Sequence, residues 1–169
     1  TSLRPEGWFK CRGHGDFHLG QVLDTRGDFL LMDFEGEPLK PAALRVAKYS
    51  PLKDVAGLLR SYNYAIYAAL FAARERYHLA ETTFAAWEEL LRLWNRRAEN
   101  LFLDAYWPAV GMERSPDLSE FLALLKLEKA VYELDYEINN RPAWLSIPMR
   151  GIGACLEEVT FDPARGIDE

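Results

Sequence analysis

The chain has 169 residues, of which 49% are hydrophobic and 27% charged, with a mean hydropathy of −0.21. Those proportions supply one compact domain with a core of its own and exclude a disordered or low-complexity chain. The formal net charge is −6 and the pI near 5.2, which excludes a general nucleic-acid footprint because that needs a basic face; a local basic patch could still receive a phosphorylated ligand.

The chain opens on TSLRPEGWFK, which lacks the basic-then-apolar layout of a signal peptide and begins with Thr rather than Met. A processed or excised piece is therefore expected, cytoplasmic by default. No run approaches the roughly 18 apolar residues of a membrane span. Cys11 and Cys155 belong to no CxxC pair and read as small apolar residues, with a disulfide between them as the lesser alternative.

Residues 1–50 form a glycine-punctuated, strand-like head. Gln21 to Leu23 and Phe29 to Phe34 are short apolar runs around Asp24-Thr25-Arg26-Gly27-Asp28, which predicts a β-hairpin. Residues 51–169 form a helical body. Val55, Leu58, Leu59, Tyr62, Ile66, Ala69 and Leu70 repeat at helical spacing, with Ser50 as N-cap and Pro51 as first helical residue. A second helix is predicted over about Glu81 to Trp107. A third covers about Leu118 to Asn140, stopped ahead of Arg141-Pro142. A fourth covers about Pro148 to Glu157, loosened by Gly151 and Gly153. With no repeat or linker, residues 1–169 read as one domain. Trp87, Trp94 and Trp107 read as core or interface aromatics, and Asp54 as an acid favoured at its helix N-terminus.

The head carries the chemistry. HGDFHLGQ (His14 to Gln21) and LMDFEGEP (Leu31 to Pro38) place Asp16 and Asp33 on either side of the hairpin, with the Gln21 amide between them. Phosphoryl transfer needs a carboxylate to take the proton of an attacking hydroxyl and hard oxygens to hold magnesium against phosphate. Asp16 suits the first task; Gln21 and Asp33 suit the second. A turn with a capping aspartate is the bland alternative for His14-Gly15-Asp16. His14 and His18 read as loop supports, with a His14-Asp16-His18 metal site as the lesser alternative because His78, the one other histidine, sits in a helical stretch. On the third helix Lys129, Tyr132 and Tyr136 share one face at i, i+3, i+7, with Asp135 beside them. Such a face can stack on a sugar ring and bond its hydroxyls, or simply rim the core. Trp144 is a weaker candidate for the same pocket.

HGDFHLGQ followed by MDFEG resembles the catalytic and metal loops of aminoglycoside- and choline-kinase-like phosphotransferases, usually HGDxHxxN and DxD or DFG-like. The resemblance implies a mainly α fold with a small β-hairpin, the C-terminal helical lobe of a protein-kinase-like, aminoglycoside phosphotransferase-like enzyme. It implies Asp16 as catalytic base, Gln21 in place of the metal-binding Asn, Asp33 as the principal Mg2+ ligand and Glu35 as a further one. In such folds an acid near Asp54 can brace the catalytic loop. With Gln-Val-Leu after HGDFHLG, DFEGEP, SPLKDVAGLLRSYNYA and INNRP-W, the chain resembles the bacterial maltokinase family. That resemblance implies ATP-dependent phosphorylation of maltose, or a related α-glucoside, to maltose 1-phosphate in trehalose and glycogen metabolism, often in a fusion with a trehalose synthase domain. It implies the sugar site at Lys129, Tyr132, Asp135 and Tyr136. The ATP-binding N-terminal lobe is expected upstream of Thr1, so the isolated chain is expected to be inactive. The alternatives are another small-molecule kinase of the superfamily, or a non-catalytic sugar-binding or scaffolding module attached to a trehalose synthase-like domain. No nucleic-acid or membrane partner is expected.

Overall fold

The structure is a computed structural model and describes residues 9–37 and 40–158. The first eight residues, where a leader was looked for, lie outside them. The order is a single 3-10 turn (Leu19–Gln21), β1 (Val22–Asp24), β2 (Phe29–Leu31), α1 (Ala42–Arg45), α2 (Leu52–Tyr77), α3 (Glu81–Ala109), α4 (Pro116–Asn140), a second 3-10 turn (Pro142–Trp144) and α5 (Ser146–Glu158). The fold is mainly α with one two-stranded antiparallel hairpin.

β1 and β2 pair in the register Val22 with Leu31, Leu23 with Leu30 and Asp24 with Phe29. Arg26 and Gly27 turn the chain with φ of 62° and 122°, the double positive φ that matches the twist of a two-residue hairpin. The strands are shorter than the apolar runs. Gln21 belongs to the 3-10 turn and Met32 to Phe34 to the loop beyond β2, because the hydrogen-bonded ladder ends where Met32 N–H donates to the Gln21 carbonyl at 3.0 Å.

Helix boundaries follow local chemistry. α2 starts one residue later than expected: Pro51 occupies the cap, and the Ser50 hydroxyl accepts the Leu52 N–H at 3.4 Å. α3 ends in a Schellman motif, with Met112 N–H on the Trp107 carbonyl and Gly111 N–H, at φ 69°, on that of Pro108. α4 begins earlier than expected, at Pro116, capped by the Ser115 hydroxyl on Leu118 N–H at 3.2 Å. α1 has no periodic signal in four residues and was not foreseen.

α2 is the central helix. Leu52, Val55, Ala56 and Leu59 meet Leu103 and Trp107 of α3 and Leu118 and Leu122 of α4. Ile66, Tyr67 and Leu70 meet Phe84 and Ile147 in a second cluster. Full burial of each large apolar side chain is worth about 1.5–3 kcal/mol. Trp107 is core, whereas Trp87 and Trp94 are 52% and 55% exposed: their side of α3 faces away from α2. No helix among the described residues is long and apolar enough to cross a membrane.

Buried ion pairs lock the helices in register. Arg60, 2% exposed, donates to Glu133 of α4 through Nη2 at 2.6 Å and Nε at 3.2 Å, and to Asn63 at 3.0 Å. Lys126 reaches Glu99 of α3 and Glu158 of α5, both at 2.8 Å. Burial alone would depress its pKa, but the two carboxylates outweigh that and hold the ammonium above its usual value. Gly151 does not loosen α5; it admits Arg60, whose Nη1 would lie 2.2 Å from an added Cβ. Cys11 and Cys155 are free, so no disulfide joins them.

Gly151→Ala is expected to cost about 1–3 kcal/mol, since the enclosed guanidinium cannot move aside. A thermal melt should show a midpoint several degrees lower, and an unchanged midpoint would contradict the packing described. Burial raises the pKa of the Cys155 thiol; an alkylating reagent should label Cys11 in the native protein and Cys155 only after denaturation.

Candidate functional site

Asp54 lies in the first turn of α2, where the helix dipole favours a carboxylate. Its Oδ2 accepts the backbone N–H of His14 at 2.7 Å and its Oδ1 that of Gly15 at 3.0 Å. The Tyr49 hydroxyl donates to both oxygens, at 3.2 and 3.3 Å. Burial first, and then the Asp54 charge, push the Tyr49 pKa well above its usual value, so it remains a donor. The loop is thereby tied to the most buried helix of the fold.

Two glycines permit the approach. An added Cβ at Gly57 would stand 2.6 Å from the Phe17 carbonyl oxygen, so α2 runs directly beneath the loop. Gly15 has φ of 90°, and its Cβ would lie 2.8 Å from Gly36 Cα. The two acidic loops therefore touch backbone to backbone.

His14 joins them a second time. Its ring is buried, between Phe17 and Phe34 at centroid distances of 5.3 and 4.8 Å. Nε2 lies 2.6 Å from the Met32 carbonyl, and the Asp16 N–H approaches Nδ1 at 3.4 Å. That pattern assigns the ring proton to Nε2, which donates to the residue just before Asp33. His18 acts locally: Nδ1 accepts the Gly20 N–H at 3.1 Å and caps the 3-10 turn.

Gln21 and Asp33 are brought together. The Gln21 amide donates to Asp33 Oδ2 at 3.1 Å. Asp33 has φ of 62°, a left-handed conformation that Asp tolerates better than most residues. Glu35 is exposed in the following turn, whereas Glu37 is buried and paired with Lys40 at 2.7 Å. Among the described residues no group of three or more His, Cys, Asp or Glu could hold a metal ion. The carboxylate and amide oxygens fit a hard cation such as Mg2+, which takes one or two protein ligands and completes its shell with phosphate and water.

Asp16 opens onto a cavity of about 320 Å3. Gly15 to Phe17 form one side, Lys40, Leu44 and Arg45 another, and Lys53, Asp54 and Gly57 of α2 the base. The wall opposite belongs to α4: Leu125, Glu128, Lys129 and Tyr132. Lys129 Nζ stands 3.6 Å from Asp16 Oδ1 and 4.9 Å from the Tyr132 ring centre. Lys53 is paired with Glu128 at 2.7 Å.

Asp135 and Tyr136 do not line this cavity. Tyr136 sits two turns beyond Lys129, about 10 Å along the helix, where its ring lies 5.3 Å from the Arg141 guanidinium. Trp144 belongs to that second cluster, stacked on Tyr64 at 5.9 Å with Arg141 close to it at 5.3 Å. Asp135 accepts from Asn139 one turn on. Tyr49, Glu37 and Lys40 were missed, because no local spacing marks residues that meet only through the fold. Gly57, a glycine inside a helix, was the available signal of a close approach.

Searched against models of known protein families, the chain matches none. Curated proteins do align with it. One, from Mycolicibacterium smegmatis, is 31% identical over 150 residues, which is 88% of this chain and 35% of the relative. Another, from Streptacidiphilus jiangxiensis, is 29% identical over 137 residues, 80% of this chain and 29% of the relative. Both are glucosamine kinases. Among solved structures, a glucosamine kinase in complex with glucosamine, ADP and inorganic phosphate superposes with a TM-score of 0.69 at 26% identity. It covers 89% of this chain and 36% of that one. A second crystal form gives 0.69 at 27% identity, over 86% and 34%. The chain thus spans about a third of the length of the curated relatives it matches.

These relatives correct the maltokinase reading, and with it maltose, maltose 1-phosphate and a trehalose synthase partner. The physical reason lies in what the quoted segments do. HGDFHLGQ and DFEG form the Asp16 and Asp33 loops, whose residue types suit phosphoryl transfer in general and no particular acceptor. The later segments are scaffold: in INNRP-W, Arg141 pairs with buried Glu137 at 2.6 Å and Trp144 stacks on Tyr64. SPLKDVAGLLRSYNYA is the central helix itself.

Asp54→Ala should release the loop. The amides of His14 and Gly15 are expected to lose hydrogen-exchange protection while α4 keeps its own, with an overall cost of about 1–3 kcal/mol for the unsatisfied donors. Retained protection at both amides would show that Asp54 does not anchor the loop.

Proposed function

We propose that this chain is the helical part of an aminoglycoside phosphotransferase-like sugar kinase, and that the whole protein transfers the γ-phosphoryl group of ATP to an amino sugar of the glucosamine type. The observation that carries the reading is the union of the Asp16 loop with the Gln21–Asp33 pair through His14, with Asp54 anchoring that loop to α2, in a chain aligned over 88% of its length with a glucosamine kinase. The solved relative bound to glucosamine, ADP and inorganic phosphate supports the same substrate pair.

In this reading Asp16 accepts the proton of the attacking sugar hydroxyl. Asp33 and Gln21 hold Mg2+ through the carboxylate and the amide oxygen, with Glu35 as an outer partner. Bound there, the cation would neutralise charge on the phosphates. Tyr132 offers a ring face to the apolar side of the pyranose. Asp135 and Tyr136, outside the cavity, would meet only a part of the acceptor that extends beyond it. Catalysis comes from position and fixed charge: Asp16 is held from behind by Asp54 and His14 before substrate arrives.

The test is nucleotide-dependent phosphorylation by the full-length protein across glucosamine, N-acetylglucosamine and glucose, beside an Asp16→Asn variant. Glucosamine is expected to be preferred, and the variant to lose about 10²–10⁴ in rate, the usual contribution of a general base. Undiminished transfer by Asp16→Asn would remove the base from the mechanism. A preference for glucose would remove the amino sugar.

A further inference from the structure

HGDFHLGQ contains no Lys or Arg between Asp16 and Gln21, so the loop brings no cation of its own to the proposed base. The cation beside Asp16 comes from another part of the chain, the middle of α4. Lys129 Nζ stands 3.6 Å from Asp16 Oδ1, and both side chains are partly open to the cavity, at 28% and 25% exposure. This contact differs from those of the neighbouring lysines. Lys40 and Lys53 hold their carboxylates at 2.7 Å, in direct ion pairs. Lys129 is beyond that range, poised over the Tyr132 ring at 4.9 Å.

A gap of 3.6 Å has a chemical use. An oxygen placed about 2.7–2.9 Å from each group, at ordinary charge-assisted distances, bridges them. A hydroxyl there would donate its proton to Asp16 and accept a hydrogen bond from the ammonium. We propose that Lys129 is a second catalytic residue, one that donates to the attacking oxygen rather than merely holding the sugar. The inference rests on the sugar-kinase reading above and adds a role to that site.

The step balances. The acceptor O–H bond breaks and its proton passes to the Asp16 carboxylate. The oxygen forms a bond to the γ-phosphorus of a nucleoside triphosphate. The bond from that phosphorus to the β,γ-bridging oxygen breaks, and its electron pair leaves with the nucleoside diphosphate. Lys129 keeps its proton throughout and stabilises the negative charge that grows on the attacking oxygen as the proton departs. Such a donor matters more in the transition state than in the ground state, so its loss falls on kcat.

The experiment compares the full-length protein with Lys129→Met and Lys129→Arg, using ATP and glucosamine. The expected result is a kcat lower by about 10²-fold in Lys129→Met, as for loss of one oxyanion donor. Both KM values should stay within about threefold. Lys129→Arg should recover part of kcat, because the charge returns with a different donor geometry. Thermal melts confirm that the variants fold; should Lys129→Met not fold, Lys129→Gln carries the same comparison. A raised KM for the sugar with unchanged kcat would make Lys129 a sugar ligand only and overturn the proposal. Unchanged kinetics would overturn it too, leaving the kinase reading intact. A wild-type protein that phosphorylates no acceptor would bring down both.

Discussion

The carboxylate of Asp54 is the constraint on which the site depends. Two backbone donors, His14 N–H and Gly15 N–H, and one phenol, Tyr49, converge on it. A loop cannot hold a catalytic geometry through its own conformational preferences, since each residue fixed costs about 1–2 kcal/mol of backbone entropy. Here the cost is offset by charge-assisted bonds to a helix that is itself buried on several sides. The position of Asp16 is therefore inherited from the core, through Leu52, Val55, Ala56 and Leu59 on the same helix as Asp54.

The opposite wall of the cavity is fixed by polar rather than apolar means. α4 turns Lys126, Glu133 and Glu137 inward, toward Glu99 and Glu158, Arg60, and Tyr64 with Arg141. Removing one member of such a buried pair leaves an uncompensated charge, which penalises any sliding or rotation of the helix. Rotation is the coordinate that matters for the site. Lys129 and Tyr132 reach the cavity only because Lys126 and Glu133, three residues before the one and one after the other, are pinned.

The acceptor was misread for a reason that follows from the same architecture. The groups proposed to act on phosphate lie on a short stretch of chain, 14 to 33, whose residue types suit the phosphate and not any one acceptor. The groups that could meet a sugar come from α1, α2 and α4, each held for structural reasons as well. Segments such as Asn140-Arg141-Pro142 end a helix and satisfy a buried glutamate, so they report the scaffold and not the acceptor. Similarity to glucosamine kinases over most of the chain is a broader comparison than five segments, and it overturns maltose without altering the proposed chemistry.

The hairpin and the long helices were legible in the sequence because their causes are local: Gly27 and its flanking aspartates for the turn, a 3.6-residue apolar period for α2, Pro142 for the end of α4; the Ser115 cap that starts α4 went unread. Asp16, Gln21 and Asp33 were legible as candidates because their residue types and order suit one chemistry. The same spacing that grouped Lys129 with Tyr132 and Tyr136 could not separate them, since a shared helix face says nothing of where along the axis a cavity ends. Nor could it reveal that a lysine from α4 would stand beside Asp16, 113 positions earlier in the chain. Contacts of that kind arise only when helices pack, and the buried pairs that set their rotation and register decided them.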